Sequence, residues 1–248
     1  MLDRLADRHA VDLRPVSAAA RDFASRTVPV WQTMLGPELI GIYLIGSLAH
    51  GGFSDRYSDV DVALITEQGL SPDQLERGKA EAAALSGDWG PKLSVFWADR
   101  NFSLGRFPPL DRVDYLDHAV PLFEDEYVRP PRPALREVQE YLRGAPFANW
   151  AEQARRFASA MSLEPKDRKP YLRTLLYPAR LCFSFVTGRM GSNDEAVVFL
   201  ADGAPAGLDL DLISRAQQCR QADADPDPLF AERMKLPAQV EACAMLIA

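Results

Sequence analysis

The chain has 248 residues, 47% hydrophobic and 25% charged, with no low-complexity tract, which excludes a fibrous or disordered protein and leaves room for two ordinary domains. Its 28 Lys and Arg against 35 Asp and Glu give a net charge of -7, which disfavours a nucleic-acid or anionic-membrane partner and fits a small or cationic substrate better. The three cysteines, Cys182, Cys219 and Cys243, lack Cys-x-x-Cys spacing and read as reduced; the charged start and the lack of an apolar run of roughly 18 residues lead us to expect a cytoplasmic protein with no membrane association.

The first 36 residues have helical spacing, with Leu5, Ala19, Phe23, Val30 and Trp31 as inward positions and Gly36-Pro37 as a stop. Leu39 to Ile45 is a nearly unbroken apolar run, the pattern of a strand covered on both faces, and it ends at Gly46-Ser47. A short helix over Ser47 to Phe53 and a polar turn over Asp55 to Ser58 lead to a second strand, Asp59 to Thr66. Ser71-Pro72 opens a helix to about Leu85, with Ser as N-cap and Pro at the first helical position. Lys92 to Ala98 reads as a third strand, Leu110 to Leu116 as a short helix and Ala119 to Phe123 as a fourth strand.

Arg129-Pro130-Pro131-Arg132-Pro133 can continue neither a helix nor an interior strand, so the domain boundary is placed there: 1–128, a linker 129–133, and 134–248. Beyond it the periodicity is helical throughout, near Ala134 to Arg143, Ala148 to Leu163, Tyr171 to Thr187, Asn193 to Leu200, Leu208 to Gln221 and Pro228 to Ile247. The fold class expected is α+β: a small mixed sheet flanked by helices, followed by an all-α bundle.

Residues two apart on a strand share a face, so Asp59 and Asp61 project together while Val60 and Val62 turn to the core. Two adjacent carboxylates repel, and Mg²⁺, which takes carboxylate and phosphate oxygens, relieves that repulsion. Gly46-Ser47 stands where a strand turns into a helix; helix N-termini offer amide donors to anions, and Gly admits close backbone approach. A phosphate cradle beside a metal platform is a site for a nucleoside triphosphate and its metal.

Gly-Ser followed by Asp-x-Asp, here IGSLAHGGFSDRYSDVDVALI, resembles the signature of the polymerase-β-type nucleotidyltransferase superfamily. ARLCFSFVTGRMGSNDEAVVFL resembles the helical domain of the aminoglycoside adenylyltransferases that modify streptomycin and spectinomycin. The resemblance implies AMP transfer from ATP to a hydroxyl of a small molecule, with Asp59 and Asp61 as catalytic Mg²⁺ ligands, Gly46, Ser47 and Ser58 on the nucleotide, and Arg180 reaching it from the helical domain.

Two positions depart from that pattern. Ser94 stands where the family carries a third carboxylate, with Asp88, Asp99, Asp111 and Asp114 as substitutes, and Asn193 stands where a phosphate-contacting lysine is expected. The groups expected to hold streptomycin are not recognisable in MSLEPKDRKPYLRT, so the antibiotic is not carried over as a substrate. These departures keep a second reading open, a catalytically lapsed protein that binds a nucleotide or a protein partner. His50, beside the cradle, reads as a partly buried hydrogen-bonding residue; His9 and His118 have no cluster; Trp89, Trp97 and Trp150 read as packing residues.

Overall fold

The structure, a computed structural model, describes residues 17–248, so Leu5 and His9 lie outside the described residues. Helix α1 (Ala18–Leu35) starts at Ser17, whose side chain accepts the Ala20 N–H, and ends at Gly36 with φ 53°. Its Phe23 and Trp31 are fully buried, and truncating such an aromatic to Ala costs about 3–5 kcal/mol.

Strands β1 (Leu39–Leu44), β2 (Val60–Thr66), β3 (Leu93–Asp99) and β4 (Val120–Glu124) form one sheet in the order β3-β2-β1-β4. β1 is antiparallel to β2 and β4, and β2 runs parallel to β3. The parallel pair is joined by α3 (Pro72–Ala83), opened by a capping box between Ser71 and Gln74. α1 and α3 cover one face, burying Trp31 against Val60, Val62 and Leu64. The other face is covered by Phe102, Phe107 and Tyr115 of α4 (Pro109–His118) and the loop before it. Cover on both sides is why β1 is buried at every position.

After the extended stretch around Pro130–Pro133 the chain is helical: α5 (Leu135–Arg143), α6 (Ala145–Ser159), α7 (Arg168–Thr187), α8 (Asn193–Ala201), α9 (Leu210–Gln221) and α10 (Leu236–Ile247). α7 is the central member, packed on each of the other five and ended by Gly188 in the left-handed conformation. Two expected elements differ. Pro228 to Ile247 is not one helix: Asp227–Lys235, with prolines at its entry, winds as a 3-10 segment before α10. Asp59 precedes β2 rather than opening it.

α4 packs on α5, and Val113 of α4 shares a core with Val138, Leu142 and Trp150. Tyr57, from the turn before β2, is buried in the core of the helical half. The sheet layer and the helices therefore meet along a packed seam. Cys182, Cys219 and Cys243 are free thiols, and no helix of the described residues is long and apolar enough to cross a membrane.

Candidate active site

The end of β1 is tied to β2 by the Ile45 N–H donating to the Asp61 carbonyl at 3.1 Å, which sets Gly46 beside the Asp61 side chain. Gly46 has φ 65°, and a Cβ there would strike the Asp61 carboxylate, so both the backbone and the contact demand glycine. Burial, and then the neighbouring Asp59, push the Asp61 carboxyl up to about 7; the hydroxyl of Ser94, its register neighbour on β3, favours the ionised form. Val60 and Val62 are fully buried, as alternation requires.

A second pair of carboxylates enters from α4. Asp114 Oδ2 accepts the Gly46 N–H at 2.8 Å, while its Oδ1 is buried without a hydrogen-bond partner. Burial raises Asp114, and burial with Asp114 nearby pushes Asp111 up to about 6. Asp99 points elsewhere: it ties down the loop after β3 by accepting the N–H groups of Ser103 and Leu104, each at 2.7 Å. Burial would raise it, but those bonds outweigh burial and hold it below the usual range. Asp88 is exposed and away from the cleft.

The opposite wall comes from the helices. Lys169, Arg173 and Arg180, at positions i, i+4 and i+11 of α7, line a cleft of about 330 Å³ that also holds Asp59, Asp61, Asp111 and Asp114. Lys169 Nζ donates to Asp59 Oδ1 at 2.6 Å. Arg220 of α9 donates to Ser58 Oγ at 2.7 Å and to the Gly52 carbonyl, and Ser47 Oγ donates to Ser58 Oγ at 3.1 Å. Burial and then Arg173 lower the Arg180 guanidinium pKa, whereas Asp114 and Asp111 favour its charge. His50 packs edge-on against His118 at 5.7 Å and stays neutral, pushed down to about 3 by burial and then by Arg180.

Gly46, Ser47, Ser58, Asp59, Asp61 and Arg180, singled out from sequence, all line this one cleft, as do Ser94 and Asn193. The cradle is less open than its sequence reads: the Gly46 amide and the Ser47 hydroxyl already have protein acceptors, and α2 (Ser47–His50) is a single turn. The amides of Ser47 and Leu48 lie in the first turn, where no i−4 carbonyl of the helix is available, and of the two residues Ser47 lines the cleft. Lys169, Arg173 and Arg220 were not anticipated, although the 4- and 11-residue spacing from Lys169 to Arg173 and Arg180 is a helical-face signal. Five cationic side chains, Arg106 among them, face four carboxylates, so the chain's net acidity is not reproduced in the cleft.

No protein-family model matches the chain, and no curated protein matches it. Among solved structures it is similar to the spectinomycin adenyltransferase AAD(9) from Enterococcus faecialis, crystallised with ATP and spectinomycin. The TM-score is 0.64 at 11% identity, over 89% of this chain and 99% of that one. The fold is nucleotidyltransferase-like, a small mixed sheet followed by a helical part.

Proposed function

We propose that the chain is a nucleotidyltransferase that moves a nucleoside monophosphate, AMP from MgATP, to a hydroxyl of a small molecule. The observation that carries this reading is the Asp59–Asp61 pair set in one cleft against Lys169, Arg173 and Arg180 of α7. The division into a nucleotide-binding unit over 1–128 and a helical unit over 134–248 belongs to the same proposal.

Asp59 and Asp61 fit a magnesium ion. They supply hard oxygens near one another, Asp61 is raised first by burial and then by Asp59, and the Lys169 ammonium stands as a cation against Asp59. Bound there, Mg²⁺ neutralises charge on the triphosphate and its leaving group. The protein's own part is positioning. The hydroxyl-bonded pair Ser47 and Ser58, with Arg220 donating to Ser58, line the place of the phosphate oxygens at the start of α2. Arg180 and Arg173 offset their charge from the opposite wall. The acceptor oxygen bonds to the α-phosphorus, the bond to the bridging oxygen breaks, and pyrophosphate departs with its electron pair.

Asp111 takes the acceptor proton in this scheme. Ser94 cannot serve as that base, Asp99 is committed to its loop, and Asp114 spends Oδ2 on the Gly46 amide with its Oδ1 fully buried. Asp111 faces the cleft with its pKa moved toward neutrality, as a general base requires. The lapsed alternative draws on Ser94 and on the internal partners of Gly46 and Asp59. Pyrophosphate release from MgATP with a panel of hydroxyl compounds tests the proposal. Release by the natural chain excludes the lapsed reading; release only after Ser94→Glu and Asn193→Lys supports it; and failure of both proteins to bind nucleotide removes the transfer reading and leaves the lapsed one only a protein partner.

A further inference from the structure

A second cavity, of about 410 Å³, shares Asp111, Arg173, Arg180 and Met190 with the first. The remaining lining side chains carry no charge. Trp150 and Tyr177 stack at 4.7 Å and 18° to form an aromatic wall, and the Trp150 indole N–H is already spent on the Thr174 carbonyl at 3.0 Å. The Tyr177 hydroxyl is buried without a hydrogen-bond partner. Gln153, half-buried on α6, brings a neutral amide to the same lining. Charge is thus confined to the seam with the first cleft, and the far end is aromatic and neutral.

We infer that this second cavity seats the acceptor, and that the acceptor is a neutral or singly anionic hydroxyl compound with a planar aromatic body. The assignment rests on the nucleotidyltransferase reading of the adjoining cleft. Its volume lies within the range of small-ligand pockets, which combine apolar and aromatic walls with few polar groups. A flat ring extends the Trp150–Tyr177 stack. Its hydroxyl then lies at the shared seam, where Asp111 receives the proton as the oxygen bonds to the α-phosphorus and pyrophosphate leaves. A polycationic acceptor meets two guanidinium groups and one carboxylate, a wall of the wrong sign.

The test is calorimetric titration with 7-hydroxycoumarin and, separately, with the cationic spectinomycin, in the presence of Mg²⁺ and a non-hydrolysable ATP analogue. Saturable coumarin binding is expected, weakened at least about tenfold by Gln153→Trp, which fills the cavity from its half-buried rim, with affinity for the ATP analogue unchanged. Unchanged coumarin affinity in Gln153→Trp would overturn the assignment. So would spectinomycin binding more tightly than coumarin, or the absence of coumarin binding beside intact nucleotide binding. Coumarin binding that responds to Gln153→Trp while no nucleotide binds overturns the acceptor role through the transfer reading itself, and so separates the two failures.

Discussion

The two walls of the cleft carry opposite charge and are built by different means. The sheet wall draws Gly46, Asp59 and Asp61 from one short stretch, and a strand pairing joins its two halves. The helical wall draws Lys169, Arg173 and Arg180 from a helix more than a hundred residues later, and these side chains reach the carboxylates only because α4 and the turn before β2 are packed into the helical cores. The acidic wall is locally determined and unfavourable by itself, with Asp61 held near neutrality; the basic wall depends on docking and supplies the compensation. A metal–nucleotide complex, with charge of both signs, needs both.

Substitutions separate the contributions of the walls. Asp61→Asn should lower turnover by about 10³-fold, since metal-borne charge neutralisation contributes several kcal/mol, measured as pyrophosphate release under saturating MgATP. Arg180→Met should cost about 10²-fold in turnover through loss of a charged donor, with the fold intact by circular dichroism. If Arg180→Met is silent, the helical wall packs against the cleft without acting in it. Lys169→Met frees Asp59, and its expected effect is the smallest of the three on turnover, about tenfold.

Stability should move in the direction set by the acidic wall. Asp61 and Asp111 have native pKa values raised to about 7 and about 6 by burial first and then by neighbouring carboxylates. Between the unfolded carboxylate range and those values the native state holds more protons than the unfolded chain, so stability is fully present at low pH and is lost as pH rises through 6 to 7. His50, with its native pKa pushed down to about 3, works in the opposite sense and offsets part of this, so the metal-free protein should be more stable at pH 5 than at pH 8 by a net amount on the order of 1–2 kcal/mol, read as a higher melting temperature. Asp61→Asn should reduce that difference. A flat profile in calorimetry would mean that the carboxylates are compensated without metal. Gly46→Ala should destabilise by roughly 1–2 kcal/mol, from the positive φ and the collision with Asp61, read as a lower denaturant midpoint with an unchanged slope.

What was legible in the sequence follows the same division. The strand runs, the Ser71 cap and the Asp59–Asp61 pair are short-range patterns, and the structure carries them with shifts of a few residues. Asp111 and Asp114 were named only as substitutes, because their place depends on how α4 crosses the end of the sheet, a tertiary fact. Arg220, which ties Ser58 and Gly52 to α9, left no sequence signal at all. Asp99, the candidate carboxylate nearest to Ser94 in sequence, is held away from the site by the loop it ties down.

The central claim is that the two walls together make a magnesium-dependent nucleotide site. Its most direct measurement is calorimetric titration of the full chain with a non-hydrolysable ATP analogue, with Mg²⁺ and with chelator, in the natural protein and in Asp61→Asn and Arg180→Met. Saturable binding that requires Mg²⁺, is abolished by Asp61→Asn and weakened by Arg180→Met is the result expected. Binding indifferent to Mg²⁺ and to both substitutions, or no binding by the natural protein, would contradict it.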